Sequence, residues 1–217
     1  MDNQKALVLL SGGLDSATCL YWARHRFSLV YAITFNYTDR GKREKSAAIR
    51  IAKRANIANL IELDLPFVQE GVQIASSTET MDSHSRWSAY IPARNLMFYS
   101  IALYYAEKLS IRSIIGGHNR HDRLFFRDAT QSYLRKLTSL FREGTKMQGK
   151  GSIKIILPLS NMYRTKIIKL AVELGVPMEL TWSCHLDGNK HCRRCYACTE
   201  RLQSFRSLGI IDPVIPS

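Results

Sequence analysis

Residues Lys5 to Leu20 read KALVLLSGGLDSATCL, and this stretch decides the fold. Ala6 to Leu10 is an unbroken apolar run, the pattern of a strand buried on both faces. It leads directly into Ser11-Gly12-Gly13-Leu14-Asp15-Ser16. Apolar residues then recur at helical spacing, at Ala17, Leu20, Tyr21 and Ala23. Strand, glycine turn and helix start therefore follow one another without a spacer. Two glycines allow a sharp turn and a close approach of backbone to ligand. The N–H groups at a helix start, with the positive end of its dipole, favour an anion. Ser11 and Ser16 add hydroxyl donors. Asp15 would repel a phosphate, so its expected task is to hold Mg²⁺ or to cap the helix.

The sequence contains neither GxxxxGK[ST] nor GxGxxG, which sets aside the kinase-type phosphate loop and the dinucleotide fingerprint. An SGG alone would signify only a capped helix after a turn. SGGxDS behind a buried strand is more specific and resembles the pyrophosphate loop of the ATP pyrophosphatases. Those enzymes split ATP between its α- and β-phosphates and place AMP on a substrate oxygen. The resemblance implies Mg-ATP as a substrate. It also implies an ATP site along Leu10, Ser11, Gly12, Gly13, Leu14, Asp15, Ser16, Ala17, Thr18, Cys19 and Leu20.

Outward from the loop, the chain alternates strand and helix. Leu29 to Phe35 reads as a second strand, followed by a loop at Asn36 to Gly41. Arg43 to Asn56 has helical spacing, and Asn59 to Leu65 reads as a third strand. Val68 to Trp87 is weakly patterned and expected to be a flexible loop. YIPARN (90–95) opens a helix from Ala93 to Leu109, with Pro92 at a helix start and Arg94 and Asn95 in the first turn. Ser113 to Gly117 is a fourth strand, with His118 to Asp122 at its tip and a loop through Asp128. A helix from Thr130 to Phe141, a loop from Arg142 to Ser152, a fifth strand at Lys154 to Leu159 and a helix from Lys166 to Leu174 complete the rhythm. Lys166, at a helix start beyond a strand tip, is placed for phosphate. The expected fold is α/β: an open, mainly parallel five-stranded sheet with helices on both faces, Rossmann-like. Within the pyrophosphatase resemblance this is the adenine nucleotide alpha hydrolase-like arrangement. Ligands of such sheets sit at the carboxyl ends of the strands.

The chain has 217 residues, enough for one large domain. Its apolar runs are too short to span a membrane, and its first residues show no basic leader segment. The net charge of +13 suits an anionic substrate and leaves a nucleic-acid partner open. Five cysteines, four of them within fifteen residues, indicate a metal site in a reducing compartment, so the expected location is the cytoplasm. Cys184, Cys192, Cys195 and Cys198 are spaced C-x7-C-x2-C-x2-C, a closed four-thiolate set that suits a structural Zn²⁺. Residues 1–178 are expected to form the α/β domain, and 179–217 a helical cysteine segment packed on it. Cys19 reads as a small helix residue against the sheet.

SGGLDSATCL, NYTDRGKRE, YIPARN, PLSNMYRTKI, LGVPMELTWSC and CRRCYACTERLQSF occur in this order across nearly the whole chain. Together they resemble the 7-cyano-7-deazaguanine synthase family of queuosine and archaeosine biosynthesis. The resemblance implies an ATP-dependent carbon–nitrogen ligase, working as a homodimer with one zinc per chain. It would convert 7-carboxy-7-deazaguanine and ammonia to the nitrile through adenylated acid and amide. Asp15, Arg94 and Lys166 would be catalytic; Asn36, Tyr37, Asn95 and Asp122 would meet the substrate. The chain departs from the family pattern at Ala93, where glycine is usual, and across His118 to Asp128. Three alternatives stay open: a paralogue that transfers the activated acid to a protein or nucleic-acid amine, a tRNA-modifying pyrophosphate-loop enzyme, and a non-enzymatic zinc module that binds nucleic acid.

Overall fold

The structure, a computed structural model, describes residues 4–38, 40–68, 91–145, 153–186 and 188–215. Five strands form one sheet: β1 Lys5–Leu9, β2 Leu29–Tyr37, β3 Asn59–Leu65, β4 Ser113–Ile115 and β5 Lys154–Ile156. Their order is β3-β2-β1-β4-β5, and every pairing is parallel. The helices are α1 Leu14–Arg24, α2 Lys42–Arg54, α3 Arg94–Lys108, α4 Arg120–Phe125, α5 Gln131–Gly144, α6 Arg164–Glu173 and α7 Tyr196–Ser207.

Parallel strands need crossover helices, and these cover both faces of the sheet. Strand residues alternate between two cores. Ala6, Val8 and Ala32 pack with α1, α2, α6 and Phe205 of α7. Leu7, Ile33 and Phe35 face the other way and pack with α3 and Leu134 of α5. The chain runs outward from β1 through β2 to β3, then returns across the sheet to β4. The crevice between β1 and β4 is thus the switch point where such sheets bind ligands.

Several elements differ from the sequence expectation. β2 continues through Asn36 and Tyr37, because both pair in register with Asp64 and Leu65 of β3. The fourth and fifth strands end earlier than expected, at Ile115 and Ile156. The expected loop after β4 holds a helix, α4, and a 3-10 turn at Arg127–Ala129. Asn119 explains α4: its side chain accepts from the N–H groups of His121 and Asp122, and Asp122 accepts in return from the Asn119 N–H. This is a reciprocal capping box. Most of the two expected loops, residues 69–87 and 146–152, lies outside the described residues. Among the described residues, no helix is long and apolar enough to cross a membrane.

Ala93 precedes α3 with φ +52° and ψ +24°, a left-handed conformation that a Cβ disfavours. The helix therefore begins at Arg94, not at Ala93. Below α7, Arg201 and Asp212 form a buried bidentate pair, with bonds of 2.7 and 2.9 Å. Thr181, Ser183 and the Met178 carbonyl accept the remaining guanidinium donors. The pair ties α7 and the C-terminal segment to the 178–183 stretch.

Two stability outcomes follow. Ala93→Gly relieves the left-handed strain and should raise Tm by about 2–4 °C, for a gain near 1 kcal/mol; an unchanged or lower Tm would contradict the strain. Asp212→Ala leaves a buried guanidinium uncompensated and should cost about 3–5 kcal/mol in urea unfolding. Glu62→Ala, which breaks only the exposed 3.9 Å pair with Lys45, should cost no more than about 1 kcal/mol. Equal costs for the two would show that the Arg201 pair is not a structural tie.

Candidate active site

At the carboxyl ends of β1, β2 and β4 lies a cavity of about 440 Å³. The glycine loop forms its floor. Gly12 has φ +106°, and a Cβ there would meet the Glu44 carbonyl oxygen at 2.5 Å and the Ala48 nitrogen at 2.9 Å. Glycine is required at this position because α2 packs against the loop. Gly13, by contrast, opens toward the cavity. Ser16 Oγ accepts from the N–H groups of Ser11 and Gly12 and donates to the Gly13 carbonyl. Ser11 Oγ accepts from the Gly13 N–H. The two serines thus hold the shape of the loop. Helix geometry leaves the N–H groups of Leu14, Asp15 and Ser16 without intrahelical acceptors, and all three residues line the cavity.

Asp15 is the centre of a charged network. It pairs with Arg164 and accepts from the Asn119 side-chain amide at 2.8 Å. Arg164 also donates to Glu200 at 3.1 Å. Burial pushes the Asp15 carboxyl above its usual range; Arg164 and Asn119 pull it back, while Asp122 and Glu200 add to the rise. Burial works against the Arg164 charge, but Asp15 and Glu200 outweigh it. The network joins the loop, the tip of β4, α6 and α7.

A second arginine shapes the other rim. Arg40 donates to Thr34 Oγ1, the Phe35 carbonyl, Asn36 Oδ1 and the Ser11 carbonyl, the last at 2.6 Å. It clips the segment after β2 onto the loop. Phe35 and Phe98 stack beside it with centroids 4.2 Å apart, giving the cavity a flat apolar wall.

The cavity is lined by Leu10, Ser11, Gly13, Leu14, Asp15 and Ser16, but not by Gly12, Ala17, Thr18, Cys19 or Leu20. Arg94, Asn95 and Tyr37 also line it. Asn36 faces Asp64 and Arg40 instead, and Asp122 caps α4. Lys166 is exposed and outside the cavity, while Arg164, two residues earlier in the same helix, points in. A helix turns about 100° per residue, so two residues separate opposite flanks. Arg164 and Glu200 are not among the site residues expected from the sequence, and Arg40 and His118 stand there only as parts of two polar strand-tip stretches. Only the fold shows that they converge. Cys19 is fully buried, its thiol 3.5 Å from the Gly116 carbonyl, and burial pushes its pKa well up. A thiol held neutral in this way is a packing residue, not a nucleophile.

The Sγ atoms of Cys184, Cys192, Cys195 and Cys198 all lie within 4.8 Å of one another. Ligands of a tetrahedral zinc at about 2.3 Å stand roughly 3.8 Å apart, so the set fits one ion. Backbone N–H groups of Leu186 and Cys192 donate to Cys184 Sγ, and that of Cys195 donates to Cys192 Sγ. Such bonds favour thiolates. His191 is not a fifth ligand: its Nε2 accepts from the Ser183 N–H, and burial, with Arg201 nearby, holds its pKa down at about 4. The cysteine segment is also a wall of the cavity, through Trp182, Ser183, His185 and Leu186, with Glu200 on α7.

The profile of the family described as queuosine biosynthesis protein QueC matches residues 5–209. The chain is 39% identical to the 7-cyano-7-deazaguanine synthase of Thermosynechococcus vestitus, over 97% of this chain and 95% of the relative. It is 35% identical to the synthase of Thermoplasma volcanium, over 97% of this chain and 90% of the relative. Among solved structures it resembles the NMN synthetase of Francisella tularensis, with a TM-score of 0.52 and 16% identity over 96% of this chain and 78% of that one. That likeness concerns the fold alone. With a family profile across nearly its whole length and relatives 35% and 39% identical, the chain belongs to the QueC family of queuosine biosynthesis proteins.

Proposed function

We propose that the protein is a 7-cyano-7-deazaguanine synthase that adenylates 7-carboxy-7-deazaguanine and lets ammonia displace the AMP. The observation that carries this reading is the glycine loop with Asp15, Arg164 and free helix-start N–H groups on one cavity floor. In the first step a carboxylate oxygen attacks the α-phosphorus of ATP and the bond to the bridging oxygen breaks, releasing pyrophosphate. Ammonia adds to the acyl carbon, loses a proton, and AMP leaves; the product is an amide. The amide oxygen then attacks a second ATP, again releasing pyrophosphate. Loss of AMP and of both nitrogen-bound protons leaves the nitrile. Each carbon–oxygen bond is broken only after its oxygen has become part of AMP, a far better leaving group than hydroxide.

The residues have distinct tasks. The loop N–H groups bind the pyrophosphate, Asp15 serves its Mg²⁺, and Arg164 neutralises charge as the pyrophosphate leaves. Positioning and charge neutralisation supply the catalysis, and no protein nucleophile is needed. In this reading the four cysteines hold one structural zinc, closed to substrate, and the chain works as a cytoplasmic homodimer.

Incubation with 7-carboxy-7-deazaguanine, ammonium and Mg-ATP should yield the nitrile and AMP by mass spectrometry. AMP with only the amide, or with no deazaguanine product, would favour transfer of the activated acid to another acceptor. Asp15→Asn and Arg164→Met should each lower AMP formation by about 10²–10³-fold, whereas Cys19→Ala should stay near wild type. A dead Cys19→Ala with an intact fold would bring back the thiol-dependent reading. Elemental analysis should find one zinc per chain, lost in Cys195→Ser with a fall in Tm. Iron with a visible charge-transfer band would overturn the zinc assignment.

A further inference from the structure

Four arginines line the cavity: Arg40, Arg94, Arg164 and Arg201. Three are already engaged. Arg40 is held by Thr34, Asn36 and two carbonyls, Arg164 by Asp15 and Glu200, and Arg201 by Asp212. The Arg94 guanidinium has no hydrogen-bond or ion-pair partner among the described residues. It projects from the first turn of α3, one turn before Phe98 on the same flank.

The corner around Arg94 is polar and unsatisfied. His118 follows directly on Gly116-Gly117 at the tip of β4 and lines the same cavity. Its ring lies 5.7 Å from the Tyr99 ring, and its nitrogens make no hydrogen bond among the described residues. The Tyr99 hydroxyl is buried without a hydrogen-bond partner among the described residues. A buried hydroxyl is rarely left unpaired, so Tyr99 beside two half-buried cavity groups without partners among the described residues, Arg94 and His118, indicates a ligand. Burial, reinforced by Arg94, lowers the His118 pKa to about 4, with Asp128 opposing. At neutral pH the imidazole is therefore uncharged and offers one N–H donor.

The charge of this corner selects the ligand class. A guanidinium and a neutral imidazole present one positive charge, partly offset by Asp122 and Asp128 in electrostatic range, and several donors; this suits a single carboxylate better than a pyrophosphate. The more highly charged pyrophosphate has the loop N–H groups and Arg164. The corner also stands beside the loop: a Cβ on Gly117 would lie only 3.2 Å from the Ser16 nitrogen. An acid held there would stand beside phosphates bound by the loop.

We propose that Arg94 and His118 form the subsite for the carboxylate that becomes adenylated. Arg94 takes the charge, the His118 N–H fixes the tilt, and one oxygen lone pair is left to attack phosphorus. This inference rests on the proposed synthase reading for the identity of the acid, but not for its class.

The test measures KM for 7-carboxy-7-deazaguanine and for ATP in Arg94→Met, Arg94→Lys and His118→Gln, each checked for an unchanged Tm. Arg94→Met and His118→Gln should raise KM for the acid about tenfold or more and leave KM for ATP within about twofold. Arg94→Lys should recover part of the loss. A rise in KM for ATP with an unchanged KM for the acid would overturn the subsite and leave the synthase reading intact. If the wild type does not turn over the acid, the synthase reading fails. The subsite is then decided with benzoate, a planar carboxylate, by ligand-observed NMR. Benzoate binding in the wild type that is lost in Arg94→Met supports a carboxylate site for another acid; equal binding, or none in either, overturns it.

Discussion

The site depends on how one half-buried positive charge is shared. Arg164 joins Asp15 on the phosphate loop to Glu200 on α7, and Asn119 at the tip of β4 holds the other Asp15 oxygen. Four segments distant in sequence are joined through Asp15 and this one guanidinium. Removing a carboxylate from water is costly, and burial raises the Asp15 pKa accordingly. A partner with a fixed fork of donors offsets that cost only in one geometry, so the pair constrains position as well as charge. Arginine suits this task better than lysine, whose single ammonium could not serve two carboxylates with separate nitrogens.

The cysteine segment takes part in the same architecture. Its four sulfurs gather where they could hold one ion, and the chain that carries them places Trp182, His185 and Glu200 on the cavity wall. The buried Arg201–Asp212 pair fixes the same helix from below, with every guanidinium donor satisfied. A metal clip distant from the chemistry would stabilise only the fold. Here the clipped helix carries the carboxylate that orients Arg164, so the order of the segment bears on the geometry of the phosphate loop.

Much of this was legible in the sequence. The apolar run Ala6 to Leu10 identifies a strand buried on both faces, and SGGLDS requires a tight turn into a helix start. Arg94 and Asn95 could be placed in the first turn of a helix, with donors free for a ligand, because Pro92 and the apolar spacing after it are local signals. Other residues were beyond local reasoning. Lys166 and Arg164 both sit at the start of α6, and only packing against α1 and α7 decides which of them faces inward. The Asn119–Asp122 capping box was present in the sequence as N-x-x-D, but the expected loop concealed it.

By itself, then, the sequence determined the secondary-structure rhythm, the phosphate loop, the four-cysteine set and the family. Each of these depends on residues close together in the chain, where spacing alone dictates geometry. Only the tertiary structure decided which arginines are occupied and which one remains available, and that the cysteine segment walls the cavity. Those facts arise from contacts between segments more than a hundred residues apart, such as Asp15 with Arg164. Electrostatic pairing over such separations depends on the full path of the chain, and no local pattern records it.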